Sequence, residues 1–262
     1  MLTHRLSWCL RPGRRCFGSS EPATILIDGR RTLELVRAEL ALSLSAHGAR
    51  GVQLMVVGRQ GITIALRAAA LLRPGGRGAR SPFFTLRLVG PDELTRVGLE
   101  RVDDDGDHSG QDGHGFHMLF PPRAPGHARV IEDFEPNIQQ VLKVGGKTQS
   151  LPLIKSISTI ATRLPEGGSF AVETAMKGKS KNSWTRVHRM ARAVAIARKW
   201  QEDPPPGRVG QPFECLASIM HIAAENTKVP EPGSEDVALG KTIDIEVLRL
   251  SLAPSKGHDV KA

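Results

Sequence analysis

The chain has 262 residues, 40% of them hydrophobic and 24% charged, with a formal net charge of +9. This is the composition of a globular protein of one large or two small domains. The basic balance favours acidic partners, nucleic acid first and an anionic membrane surface second, and no stretch is apolar over the length of a membrane span.

The first twenty residues hold Arg5, Arg11, Arg14 and Arg15, no acidic residue, and a candidate apolar face of Leu2, Leu6, Trp8 and Leu10. An Arg-rich, acid-free, amphipathic start reads as a mitochondrial transit peptide, 1–20, and predicts the mitochondrial matrix as location. Arg15-Cys16-Phe17-Gly18-Ser19-Ser20 is similar to a matrix-protease cleavage context. The competing reading is a disordered basic arm. Cys9 and Cys16 lie in this stretch. Cys215 then has no disulfide partner and reads as a small buried residue.

Ile25-Leu26-Ile27 predicts a first strand. Leu33, Val36, Leu40 and Leu44 predict a helix over 32–46, ended by Gly48. Residues 52–57 predict a buried strand. Gly58-Arg59-Gln60-Gly61 reads as a turn into a second helix over 62–73, which Pro74-Gly75-Gly76 stops. Residues 83–89 predict a third strand. A polar stretch, 90–125, contains Asp103-Asp104-Asp105-Gly106-Asp107 and several glycines, and lacks the apolar surface to fold alone. The last strand of this half lies at either 116–120 or 128–134.

The second half repeats the order. Residues 141–144 predict a strand, Gly145-Gly146-Lys147 a turn, and 150–164 a helix with Leu153, Ile154, Ile157 and Ile160 inside. A strand follows over 170–175, then a long helix over 180–199, closed by Pro204-Pro205-Pro206. Strands over 213–222 and 242–250 complete it, the latter through alternating Ile243, Ile245 and Val247.

Two short signatures tie the halves together. Residues 67–73 read Arg-Ala-Ala-Ala-Leu-Leu-Arg and 192–198 read Arg-Ala-Val-Ala-Ile-Ala-Arg. Each follows a strand-like run and a Gly-containing basic turn, and each precedes a Pro/Gly break and a Pro-Phe pair (Pro82-Phe83, Pro212-Phe213). An internal repeat of this kind predicts two similar α/β (α+β) units of order β-α-β-α-β-β.

The second helices carry a family resemblance. Ala193-Val194-Ala195-Ile196-Ala197-Arg198, preceded by Arg192, resembles the helix motif of the bacterial stage V sporulation protein S group within the Alba superfamily. Residues 58–73 match it without a gap, and Val141-Leu142-Lys143-Val144 is similar to that group's first strand. The resemblance spans about 23–90 and 139–252. It implies two Alba-like domains, 21–135 with an acidic Gly-rich insertion at 90–125 and 136–254 with a tail at 255–262, forming an internal pseudo-dimer. It also implies nucleic-acid binding through the turn after the first strand, the second helix, and the arm between strands three and four. The arms depart from that pattern: residues 91–115 hold eight Asp/Glu against two Arg, and 225–240 contains Glu225, Glu231, Glu235 and Asp236 against Lys228.

Charge segregation points the same way. Residues 177–199 contain eight Lys/Arg and no acid, and 40–91 contain no acid. The candidate phosphate-binding residues are Arg30, Arg31, Arg59 and Arg67 in the first half. In the second they are Lys147, Lys177, Lys179, Lys181, Arg186, Arg189 and Arg192. Trp184, Val187, Ala191, Val194 and Ala195 form the expected buried stripe of the long helix, with Arg186 and Arg189 outward and Arg192 at the border. The competing reading is a solvated basic face. The chain has no Tyr and only 4% aromatics. Shape and backbone recognition of RNA, with DNA second, is therefore expected over base stacking.

Asp103–Asp107 with His108, His114 and His117 is the one candidate metal cluster, and it matches no zinc-ligand spacing. Gly58–Gly61 is a weak candidate phosphate cradle. No Walker loop, Gly-x-Ser-x-Gly elbow or paired CxxC is present. The sequence therefore predicts a non-enzymatic mitochondrial RNA-binding subunit of a ribonucleoprotein, with no cofactor, no membrane association and protein subunits as further partners. The alternatives are a protein-binding scaffold of the same fold and a metal-dependent hydrolase.

Overall fold

The computed structural model describes residues 22–48, 50–72, 83–99, 115–122, 138–165, 167–176, 181–204, 210–225 and 242–254. Residues 1–20, the Asp103–Asp107 run, His108, His114, residues 128–134, Lys177 and Lys179 lie outside these.

The first half runs β1 (Ala23–Ile27), α1 (Leu33–His47), β2 (Val52–Val56), α2 (Gly58–Leu71), β3 (Phe83–Val89), α3 (Pro91–Arg96), β4 (Gly115–Phe120). The second runs β5 (Ile138–Lys143), α4 (Ser150–Arg163), β6 (Ser169–Met176), α5 (Lys181–Glu202), β7 (Phe213–Glu225), β8 (Thr242–Pro254). The class is mixed α/β. All eight strands join one sheet in the order β1-β2-β4-β3-β7-β8-β6-β5. Each half thus uses its own strands in the order first, second, fourth, third, and the two third strands meet in the middle. The first two strands of each half pair in parallel and the others antiparallel.

Register repeats as well. Ile25, Leu54, Met118 and Leu86 align in one row across the first half, and Leu142, Val172, Leu250 and Ala217 in the second. Side chains alternate along a strand, and both rows face the helices as part of a single hydrophobic core. At the junction Phe84 pairs with Cys215, both fully buried. The halves exchange cover there: α2 packs on β7, α5 packs on β3, and the two helices pack on each other. The 21–135 and 136–254 units therefore share one core. Burial pushes the Cys215 thiol up to about 12, which leaves it a packing residue at neutral pH.

The second helices match position by position. At an offset of 125, Ile62, Ala65, Leu66 and Ala68 correspond to Val187, Met190, Ala191 and Ala193, and all eight are buried. The Pro-Phe marks do not match in the same way. Phe213 faces the core, whereas Phe83 is half-buried, because the β3–β7 pairing sets Phe84 opposite Cys215 and turns Phe83 to the other face.

Three other expectations change. The run 58–61 is the first turn of α2. The polar stretch 90–125 contributes structure at both ends: β4 is the fourth strand of the first half, and α3 covers the sheet's second face. Leu94 and Leu99 pack there with Met55, Val57 and Val89. Gly115 makes this possible, since a Cβ there would lie 2.7 Å from Leu94 Cδ2 and from the Val56 carbonyl oxygen. Trp184, expected in the core, is half-buried.

Candidate nucleic-acid interface

In each half, the turn after the first strand lies against the second helix, near its opening in the first half and at its third turn in the second. The parallel pairing of β1 with β2 puts both of their C-terminal ends at the same end of the sheet. There the chain turns through Asp28-Gly29-Arg30-Arg31, with Asp28 Oδ1 accepting from the Arg30 N–H at 3.0 Å. α2 begins beside this turn. Its Gly61 permits the approach, because a Cβ would stand 3.2 Å from Val56 Cγ1 and 3.4 Å from the Ile27 carbonyl oxygen.

Arg30 and Arg59 are exposed at this junction. The first turn of α2 has no acidic residue and no side-chain cap, so the positive end of the helix dipole adds to their charge. Arg31 is differently placed. Its guanidinium donates to the Leu26 carbonyl at 2.8 Å and forms an ion pair with Glu39, which ties the turn to α1. Arg67 stands farther along α2, half-buried and 2.8 Å from Glu246 of β8.

The second half builds its junction with a different clasp. Thr148 Oγ1 accepts from the Gly145 N–H at 2.8 Å, closing the turn. Arg189 of α5 reaches across and donates to the Gly145 and Gly146 carbonyls at 3.2 and 3.1 Å. Lys147 is exposed at the tip. Arg186 donates to the Asn182 carbonyl at 3.2 Å. Arg186, Arg189 and Arg192 are all half-buried, so the first two do not simply face solvent as the helical wheel predicts. A long guanidinium stem packs along its own helix and lends its donors to nearby carbonyls. Lys181 opens α5. The structure thus exposes Arg30 on the turn and Arg59 in the first turn of α2, and in the second half sets Lys147 next to the carbonyls that Arg189 holds. Arg31 and Arg67 each take part in an ion pair.

His117, one of the metal candidates, lies on β4 with both ring nitrogens engaged. Nδ1 accepts from Arg87 Nε at 3.0 Å, and Nε2 stands 2.9 Å from Gln53 Oε1 as donor. Burial, reinforced by the Arg87 charge and opposed by Glu93, lowers its pKa to about 4. The ring is neutral at pH 7 and has no nitrogen lone pair to offer a metal. Among the described residues, no three His, Cys, Asp or Glu side chains gather as a metal site, and no helix is long and apolar enough to cross a membrane.

Sequence reasoning missed the Arg87–His117–Gln53 chain on the sheet face away from the core helices. Its signal was period-two alternation of polar residues in β2, β3 and β4, which is visible only once the strands are paired. No protein-family model matches the chain, and no match was found among curated proteins or solved structures.

Proposed function

We propose that the chain is a non-enzymatic RNA-binding protein of two Alba-like units arranged as an internal pseudo-dimer. In this reading each unit holds the phosphate backbone at the junction of its first turn and second helix. The observation that carries it is the repeated junction: the exposed cations Arg30 and Arg59 in one half, and Lys147 held out by the Arg189 clasp in the other. The repeated strand order, register and helix burial support the pseudo-dimer. Phosphates neutralised by such cations release counterions, which gives affinity without sequence preference. The Arg-rich, acid-free start supports action in the mitochondrial matrix, where RNA is the favoured target over DNA.

The test is photocrosslinking of the full chain to a thiouridine-labelled RNA hairpin. Crosslinked peptides should cover 28–31 and 58–61 from one half, and 145–148 and 182–192 from the other. Crosslinks confined to α1 or to the His117 face would contradict the proposal.

The scaffold reading has one observation of its own. Leu35 and Leu42, seven residues apart on α1, are 58% and 71% exposed. Such a helix face suits a protein neighbour.

A further inference from the structure

The sheet has two outer edges, and β5 forms one of them: it pairs with β6 alone among the described strands. A strand at an edge offers a row of main-chain donors and acceptors to any extended chain of matching shape. Beside this edge, between β5 and α4, runs a groove of about 570 Å³. Gln140 and Leu142 line it from the strand, and Lys155, Thr159, Ile160 and Arg163 from the helix. Lys155 and Arg163 are exposed, and the groove has no acidic lining residue.

Spacing makes the groove selective. Lys155, Thr159 and Arg163 stand four residues apart on one helix face, about 6 Å per step. Alternate side chains of an extended strand repeat every 6.6 Å or so. A strand laid along β5 therefore sets its alternate side chains opposite successive turns of α4. The ends of the row are cations and the middle is bounded by Leu142 and Ile160, both half-buried apolar residues.

We propose that the β5–α4 groove is a docking site for an extended acidic peptide of a partner protein, added to the sheet as a ninth strand. Its pattern is acid–x–apolar–x–acid. The two carboxylates meet Lys155 and Arg163, the apolar side chain enters between Leu142 and Ile160, and the backbone pairs with β5. The pattern reads the same in both directions, so it serves parallel or antiparallel addition. This is peptide recognition by strand addition, in which main-chain bonds supply affinity and alternate pockets supply choice. The site is separate from the turn–helix junctions proposed to bind RNA.

The experiment titrates the full chain against a fluorescent seven-residue peptide carrying aspartate at its second and sixth places and leucine at its fourth. Saturable binding is expected. The double variant Lys155→Glu, Arg163→Glu should weaken it by about tenfold or more, and a peptide with lysines in place of the aspartates should bind that variant and not the wild type. Methylating the peptide's backbone nitrogens on the β5-facing side should weaken binding as well. Thr159→Trp, which fills the groove without altering charge, should block it. Folding of each variant is checked by circular dichroism, and RNA affinity should stay within about twofold of wild type. Binding that ignores charge reversal or backbone methylation overturns the proposal. So does the absence of peptide binding to wild type, including the case where RNA binding is lost in the double variant, which would make the groove a nucleic-acid site.

Discussion

The two halves share a backbone plan and differ in what they place on it. Helix-facing rows are apolar in both, and the second helices bury the same positions. On the opposite face of the sheet the solutions diverge. The first half pairs Arg87 with His117 across β3 and β4, and Arg87 extends to Glu93 on α3. At the corresponding place in the second half, Ser218 lies across from Arg249, and Arg249 pairs with Glu173 of β6. The outer helices diverge too. α1 exposes Leu35 and Leu42 seven residues apart, whereas α4, which exposes Leu151 at its start, sets Lys155 and Arg163 along the β5 groove. Core packing restricts side-chain volume and polarity strongly, and surface positions restrict them weakly. A duplicated fold can therefore keep one core while its two surfaces take up different partners.

The comparison breaks first at the junction. Phe84→Ala should destabilise the protein by about 3–5 kcal/mol. Because the core is shared, both halves should unfold in one transition at a lower denaturant midpoint. Hydrogen exchange should accelerate in β6 as well as in β2. Two separate transitions, with only the first half affected, would mean that the halves are independent.

Next come the two ion pairs. Glu173 is 7% exposed in its side chain and Arg249 19%. Removing Glu173 leaves a half-buried cation without its partner, so Glu173→Ala should cost about 3 kcal/mol. Glu93 and Arg87 are 41% and 46% exposed, and Glu93→Ala should cost less than about 1 kcal/mol. Equal losses on denaturation would remove the distinction between the two halves.

The smallest effect concerns pH. His117 titrates near 4 in the folded chain, against 6.5 for an ordinary histidine. Between these values the unfolded chain takes up a proton that the folded chain refuses. The stability due to the neutral ring is whole above about 6.5 and is lost as pH falls toward about 4. The pH-dependence of stability in that window should be shallower in His117→Leu than in wild type. Identical slopes would show that the ring does not stay neutral in the fold.

Much of the architecture was legible in the sequence. The 3.6-residue spacing of Val36 and Leu40, and of Ile154 and Ile157, predicted the face each outer helix buries. The β-branched and aromatic runs predicted every strand except the choice of β4. Less legible was anything that depended on pairing between distant strands. The phase of Phe83 against Phe213 is set by the junction with β7, and the exchange of α2 and α5 between halves leaves no local mark. The acidic stretch misled because its glycines suggested a loop, while Gly115 in fact admits Leu94 onto the sheet. At the candidate interface, charge and position singled out Arg30, Arg59 and Lys147, all three exposed. The ion pairs of Arg31 and Arg67 and the Arg189 clasp were hidden, since each needs a partner on another element, Glu39 of α1, Glu246 of β8 and the Gly145-Gly146 turn.

The salt dependence of RNA binding tests the central claim most directly. Arg30→Ala, Arg59→Ala and Lys147→Ala together remove exposed cations from both junctions and leave the Arg31 and Arg189 contacts in place. In the folded triple variant the slope of log affinity against log salt should flatten by about two to three units. The loss should be alike for unrelated RNAs, because phosphate contacts position a chain without reading its sequence. An unchanged slope in the folded variant would contradict the account and give the surface to protein partners alone.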